Sequence, residues 1–292
     1  MIKVGIVGAV SQTAQRLITL LLHHPDVDLR WVCCHWQLTL SQSMPHLMGE
    51  TELSTTTNPD WDEVDVVIVE SALEIPVERL REVNSIGDLK VIDLSDPSVL
   101  ADDSYVCGLP ELNRKYMVRG CNHVVCPTPL LQLLTLPLLP LAQNLMLTTD
   151  IHATVLSSNN APEDWEMAIQ QAEVLIASLQ NSFGHNILVN AMPHNLNRGM
   201  IASFNIECNT PIEMIRETYE KYFDDHNFTF VVNSCQVADV LNTNKCLLEL
   251  SRQGNRLVVN AFIDDQVKGR AGTAVHVMNL LFGLQERVGL ML

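Results

Sequence analysis

The sequence predicts an α/β fold: a parallel sheet with crossover helices, followed by a mixed α+β region. Three observations predict it. Short apolar strands alternate with helical segments through the first hundred or so residues, the pattern of right-handed βαβ units. A glycine-bearing turn, Gly5-Ile6-Val7-Gly8, ends the first strand and leads into the first helix. Beyond residue 122, several strands follow one another with few crossovers.

Each element has a local reason. Strand 2–7 is apolar and β-branched, and Gly8-Ala9-Val10-Ser11 turns it into a helix over 13–24. Leu17, Ile18, Leu20, Leu21 and Leu22 give that helix a broad apolar face, and Pro25 stops it. Strand 27–34 follows, then a Ser/Thr-rich irregular connection over 37–60. Residues 64–69 form a Val- and Ile-rich strand suited to the middle of a parallel sheet. A helix over 76–83 and a strand over 90–94, ending Asp93-Leu94-Ser95-Asp96-Pro97, complete the alternation. A short strand, 122–126, then precedes a Leu- and Pro-rich segment, 127–141, that begins a helix. Strands are expected at 150–156, 186–192, 200–207, 228–232, 246–250 and 256–263, and helices at 163–181 and 211–223. A last helix, 271–285, opens at Lys268-Gly269-Arg270-Ala271-Gly272.

Composition narrows the function classes. The 292 residues suffice for two domains, and 47% hydrophobic residues suffice for full cores. A formal net charge of −16 argues against nucleic acid or an anionic membrane as the main partner. It leaves room for a small anion held by backbone N–H groups and a few basic side chains. The 8 cysteines contain no CxxC pair, so reduced thiols are expected, with no metal site. No apolar stretch is long enough to span a bilayer, Met1 leads straight into a strand, and a cytoplasmic protein is expected.

Two places carry chemistry. A glycine turn between a first strand and a first helix presents backbone N–H groups to a pyrophosphate, the Rossmann-type arrangement. Here it reads Gly5-x-x-Gly8-x-x-Ser11, with Gln12 next and the hydroxyls of Ser11 and Thr13 as further donors. The same glycines also suit a plain tight turn. The second strand ends Val32-Cys33-Cys34-His35 without an acid to bind a ribose 2′-OH, which favours NADP over NAD. The second place is Cys126, in Val124-Val125-Cys126-Pro127-Thr128, between a strand end and a helix start. A thiol there is either an activated nucleophile of lowered pKa or an inert buried side chain.

Several blocks resemble N-acetyl-γ-glutamyl-phosphate reductases, relatives of aspartate-semialdehyde dehydrogenase. They are Met1-Ile2-Lys3-Val4-Gly5-Ile6-Val7-Gly8 with Thr13, Gly108-Leu109-Pro110-Glu111-Leu112-Asn113-Arg114, Val240-Leu241-Asn242-Thr243-Asn244-Lys245-Cys246, Lys268-Gly269-Arg270-Ala271-Gly272 and Met278-Asn279-Leu280-Leu281-Phe282-Gly283-Leu284. The resemblance implies an NADP-dependent reductase of a small anionic acyl phosphate, of the arginine-biosynthetic type. In that chemistry Cys126 attacks the acyl phosphate, phosphate leaves, and hydride reduces the thioester to a semialdehyde. The resemblance further implies a Rossmann-type domain over 1–122 plus 270–292, with Asn279 returning to the nicotinamide side. A catalytic and oligomerisation domain over 123–269 is inserted between these parts, in a homodimer or homotetramer.

The chain also departs from that pattern. His123-Val124-Val125 stands where the family has Asn-Pro-Gly, and the loop from Val155 to Pro162 is short. Ala168-Ile169-Gln170-Gln171 stands where the catalytic histidine belongs, and Ser11 and Gln12 replace a glycine and a tyrosine. The arginine that follows the Asp-Leu-Ser strand is missing from Asp93-Leu94-Ser95-Asp96-Pro97-Ser98. His194 is then the candidate replacement base, and Arg198 the candidate grip on a substrate carboxylate. The alternative is a catalytically degenerate paralogue that keeps the fold for a binding or structural role.

Overall fold

The first sheet begins with the first strand of the chain, β1 (Ile2–Val7), in a computed structural model that describes residues 1–9, 11–74, 83, 86–95, 98, 104–158, 164–194 and 198–290. The chain divides into two units, Met1–Pro127 with Arg270–Met291, and Thr128–Gly269.

In the first unit, β1 is joined by β2 (Val27–Cys33), β3 (Val66–Val69), β4 (Lys90–Asp93), β5 (Val106–Cys107) and β6 (His123–Val125). The order is β2-β1-β3-β4-β6-β5, and every pairing is parallel. Every residue of β3 is buried, as a central strand covered on both faces requires. One face of the sheet gathers Val7, Trp31, Cys33, Val67, Val69 and Val91 into a core with Val64 and Leu89.

Helix α1 (Gln12–Leu22) starts where Ser11 caps it, the hydroxyl accepting from Ala14 N at 3.0 Å. It buries Ala14, Leu17, Ile18, Leu20 and Leu21. The connection after β2 contains a short helix, α2 (Leu40–Ser43), isolated turns, and single bridges from Thr56 to Cys33 and from Ser54 to Thr39. Helix α3 (Pro110–Val118) was not expected: Pro110 sits in its first turn, where a missing N–H costs nothing. The helix expected over 76–83 lies outside the described residues apart from Val83.

The second unit opens with α4 (Pro129–Thr135), capped by the Thr128 hydroxyl, which accepts from Leu131 N at 3.2 Å. Pro137 and Pro140 break the Leu-rich run into a 3₁₀ turn and α5 (Leu139–Gln143). Then come β7 (Ile151–Ser158), α6 (Trp165–Leu179), β8 (Ile187–His194), β9 (Met200–Glu207), α7 (Ile212–Phe223), β10 (Thr229–Val232), β11 (Cys246–Gln253) and β12 (Arg256–Ile263). The sheet is mixed, in the order β10-β11-β12-β9-β7-β8. Met200, Ala202, Phe204 and Ile206 alternate inward along β9, as a strand with one covered face dictates. Tyr219 of α7 is fully buried, and its hydroxyl donates to Pro137 O at 2.6 Å. Gln132 Nε2 donates to Gly269 O at 3.0 Å, so the entry and exit of this unit are tied together.

The chain returns to the first unit through a π turn (Val267–Ala271) and α8 (Gly272–Leu281). This helix ends short of the expected residue 285 because Gly283 takes a φ of +66° and the N–H groups of Gly283 and Leu284 turn back to the carbonyls of Leu280 and Asn279, and the Asn279 side chain then holds the tail. Its amide donates to Glu286 O at 3.1 Å and Val288 O at 2.8 Å. Among the described residues no helix is long and apolar enough to cross a membrane.

Candidate active site

Parallel sheets place their ligands beyond the carboxyl ends of the strands, where the strand order reverses. In the first unit that point lies between β1 and β3, because β2 is on the far side of β1. The turn after β1 is held from both neighbours. Gly8 N donates to Cys33 O at 2.9 Å, and Glu70 N and Ser71 N donate to Val7 O at 2.8 and 3.1 Å. Gly8 has φ of +114°, a conformation that glycine alone adopts without strain. A Cβ there would stand 2.7 Å from Glu70 Oε2.

Ser11 and Gln12 are exposed at the start of α1, and Thr13 is half-buried. The open turn at Gly8 and the N-terminus of an eleven-residue helix fit a pyrophosphate in shape. In charge, one group opposes it. Ser11 Oγ donates to Glu70 Oε1 at 2.6 Å, so a carboxylate lies over the turn. Burial raises the Glu70 pKa and Glu74 adds to the rise, against the Ser11 hydrogen bond and the positive charge of Arg270.

Gly5 has a different task from the phosphate contact expected of it. It pairs with Trp31 across β1 and β2, and a Cβ at Gly5 would lie 2.3 Å from the indole. The missing side chain makes room for Trp31, which is 5% exposed and donates from Nε1 to Asp60 O at 3.0 Å. Asn279 is likewise reassigned from cofactor binding to structure. It is fully buried, and its Oδ1 accepts from His24 Nε2 at 3.0 Å while its amide holds the two tail carbonyls. Both N–H groups of that side chain are therefore engaged within the protein.

Cys126 follows β6, with its N–H donating to Asp93 O at 2.7 Å. Cys126 is 5% exposed. Burial pushes its pKa well up, Cys107 and Asp93 push the same way, and Arg270 opposes them. The acidic thiol expected at a helix start is therefore not what these surroundings make: desolvation of the thiolate outweighs the cation. Arg270 Nη1 donates to Leu94 O at 3.2 Å and acts electrostatically on both Cys126 and Glu70. Arg270 thus brings a positive charge to the carboxyl end of β4 from the start of the last segment.

Glu70 and Glu74 were also missed. Their signal was available: two acids within five residues of the carboxyl end of an all-apolar strand. Glu74 supplies what the end of β2 lacks, since its Oε2 accepts from His35 N at 3.1 Å. His35 Nε2 donates in turn to Leu73 O at 2.7 Å.

In the second unit, His194 is exposed at the end of β8, in register with Ser158 at the end of β7. The segments that follow both, 159–163 and 195–197, lie outside the described residues, and with them the second half of the short loop from Val155 to Pro162. His152 is exposed on β7, and His185 lies 3.9 Å from Asp150. Ala168-Ile169-Gln170-Gln171 forms part of α6 and offers no titratable group.

Arg198 is corrected from a free substrate grip to a bound strut. Its Nε donates to Asp264 Oδ1 at 2.9 Å, Nη2 lies 2.6 Å from Oδ2, and Nη1 donates to Asn242 Oδ1 at 2.8 Å. Asp264 is fully buried and also accepts from the N–H groups of Asn242, Gln266 and Val267. Releasing the arginine would leave that carboxylate buried without its cation.

Residues 3–119 match the family described as semialdehyde dehydrogenase, NAD binding domain, and residues 171–265 match semialdehyde dehydrogenase, dimerisation domain. A protein of Parabacteroides distasonis named N-acetyl-gamma-glutamyl-phosphate reductase is 34% identical over 319 aligned positions, covering 99% of this chain and 98% of the relative. One of the same name from Phocaeicola vulgatus is 33% identical, covering 100% and 98%. The aligned length exceeds the 292 residues here, so these relatives carry segments that this chain lacks. Among solved structures, an aspartate semialdehyde dehydrogenase II from Vibrio cholerae matches with a TM-score of 0.73 at 14% identity, covering 97% of this chain and 99% of that one. An aspartate semialdehyde dehydrogenase from Candida albicans, solved with NADP, matches at 0.70 and 14%, covering 97% and 98%. These structures agree with a Rossmann-type sheet plus a second mixed α+β domain. The chain belongs to the N-acetyl-gamma-glutamyl-phosphate reductase family.

Proposed function

We propose that the chain is an NADP-dependent reductase that converts a small acyl phosphate into its semialdehyde, in a biosynthetic route like that to arginine. The observation that carries this reading is the similarity, over essentially the full length of both chains, to relatives named N-acetyl-gamma-glutamyl-phosphate reductase. The unit of Met1–Pro127 with Arg270–Met291, which takes in β6 beyond the expected boundary at 122, is the cofactor domain, and Thr128–Gly269 is the catalytic and dimerisation domain. Residues 171–265 join two copies, in a homodimer or a homotetramer of such pairs. The compartment is the cytoplasm.

Cys126 is the nucleophile. Its sulfur attacks the acyl carbon, the bond to phosphate breaks, and a thioester forms on Cys126. A nicotinamide held at the Gly8–Thr13 turn would supply the hydride needed to reduce this thioester, and the Cys126 sulfur is then the leaving group, taking back its proton. Because burial holds the proton on sulfur, the attack needs a base, and His194 is proposed for that role. Arg270 offers a positive charge to the forming thiolate and to anionic groups of the substrate. Arg198 acts through Asp264, fixing the turn at Asn242, and does not grip the substrate itself. Gly8, Ser11, Gln12 and Thr13 hold the cofactor.

One observation favours a second reading of the cofactor. Glu74 brings a carboxylate to the end of β2, where it would accept from a ribose hydroxyl and repel a 2′-phosphate, the signature of NAD.

The reverse reaction tests the function: N-acetylglutamate semialdehyde, phosphate and NADP or NAD, with the chain and with Cys126→Ser. The expected result is reduced nicotinamide from the chain and about a 10³-fold or greater loss in the variant. Equal rates from both proteins would remove Cys126 from the chemistry. No product from either would reduce the reading to the fold alone.

A further inference from the structure

The turn between β1 and α1 is already covered by a negative charge. Glu70 leaves β3 at its carboxyl end and lies against Gly8, and one oxygen accepts from Ser11 Oγ at 2.6 Å. The other oxygen would be 2.7 Å from a Cβ on Gly8, so it fills the space that the absent side chain leaves open. Ser11 is thereby engaged on both sides, accepting from Ala14 N and donating to Glu70. This is the place where the proposed function needs a pyrophosphate, and a pyrophosphate brings its own negative charge to it.

We infer that Glu70 is a proton-coupled gate on the dinucleotide site: the cofactor's pyrophosphate and the ionised carboxylate of Glu70 compete for the Gly8–Ser11 turn, and the cofactor binds with uptake of one proton at Glu70. The inference rests on the reading of the first unit as a nicotinamide-binding domain and deepens it.

The surroundings of Glu70 favour the neutral form without fixing it. Burial and the like charge of Glu74, on the turn after β3, disfavour the carboxylate. The hydroxyl of Ser11 at the start of α1 and the guanidinium of Arg270 ahead of α8 favour it. Arg270 is already engaged with Leu94 O, so its help to Glu70 is a through-space effect. The free protein therefore holds Glu70 above the usual carboxylate range, with the proton still exchangeable. A bound pyrophosphate adds negative charge beside it and raises that pKa further. Once protonated, the carboxyl group is a donor aimed at the same turn and can hydrogen-bond to a phosphate oxygen instead of repelling it.

The sign follows by linkage. Below the pKa of Glu70 in the free protein, both states carry the proton and affinity is flat. Between the free and bound pKa values, the complex holds a proton that the free protein has lost, and affinity falls by up to about tenfold per pH unit as pH rises. Above both values it is flat again, at its weakest.

Calorimetric titration of the full chain with NADP and with NAD reads this without any turnover. Titrations at each pH are run in buffers of different ionisation enthalpy, which reports protons taken up. For the chain, the expected result is uptake approaching one proton within the window and affinity falling with pH. For Glu70→Gln, which keeps the shape and the contact to Ser11, the expected result is no uptake, no slope from this group, and at least about tenfold tighter binding at the alkaline end. Glu70→Ala should share the lost uptake, which separates the charge from a packing effect. Binding of equal strength and equal pH slope in the chain and both variants would overturn the gate and leave the dinucleotide reading standing. Tighter binding by Glu70→Gln with no uptake in the unsubstituted chain would overturn the proton coupling. Absence of binding by all three proteins would overturn the dinucleotide reading, and the gate with it.

Discussion

Cys126 has neighbours that pull its proton in opposite directions, and their balance decides how the free protein reacts with electrophiles. Burial, Cys107 and Asp93 all disfavour the thiolate, and Arg270 alone favours it. The proposed nucleophile is therefore stored as a thiol and becomes nucleophilic only when a base or a bound anion changes the site. Iodoacetamide labelling across pH measures this directly. The midpoint for Cys126 is expected above the ~8.5 of a free thiol, and Arg270→Gln should move it higher still by removing the one stabilising charge. A midpoint below that of a free thiol would show that the buried state described here is not the reactive one. The position of Cys126 was legible in sequence because a strand end followed by Pro127 and Thr128 announces a turn into a helix. Its acidity was not. Cys107 comes from a neighbouring strand, and Arg270 lies 144 positions along the chain, so no local pattern contains either.

At the scale of the element, β1 and its turn divide their glycines between two jobs. Gly8 serves the turn through its positive φ, whereas Gly5 serves the sheet by yielding space to Trp31. A fingerprint written in glycines cannot separate these uses, since both read as the absence of a side chain. The register shows the difference: the β1–β2 pairing slips between Val4 and Gly5, passing over Arg30, and this brings Trp31 onto Gly5. Gly5→Ala is expected to cost about 1–3 kcal/mol in urea unfolding, the usual price of overpacking a core, while NADP affinity per folded molecule stays within about twofold. An equally stable variant with lost affinity would return Gly5 to the phosphate site. Elsewhere, the alternation of apolar strands and amphipathic helices made most elements readable. Helix α3 escaped because Gly108–Arg114 was read only as a block of resemblance, although a first helical turn favours both Pro110 and Glu111. The carboxylates of Glu70 and Glu74 escaped for another reason: their meaning depends on which strand stands beside β1, and strand order is a long-range property.

At the scale of the whole molecule, the chain leaves its first unit after Pro127 and completes it only with the last twenty or so residues from Arg270. Such an interrupted unit needs a lock on the returning segment, because closing so long a loop has an entropy cost that the segment's own contacts must offset. Asn279 and Glu286 form that lock. Asn279 joins His24, from the end of α1, to the carbonyls of Glu286 and Val288. Glu286 is buried with His276 Nε2 at 2.6 Å and Arg114 Nη2 at 2.5 Å, so the tail is also fixed to α3 and α8. The tautomer of His24 follows from the same network, since its Nδ1 accepts from Asp26 N and its Nε2 must therefore donate. Asn279→Ala leaves a buried donor, a buried carbonyl and a half-buried carbonyl without partners, a loss of about 2–4 kcal/mol at 1–3 kcal/mol for each buried group, with partial relaxation. Hydrogen exchange gives the test its resolution. Amides of α8 and of α1 near His24 should lose protection together in Asn279→Ala, while those of β9 and β12 in the second unit keep theirs. If Asn279 served the cofactor instead, the variant would keep its exchange pattern and its stability and lose only dinucleotide affinity.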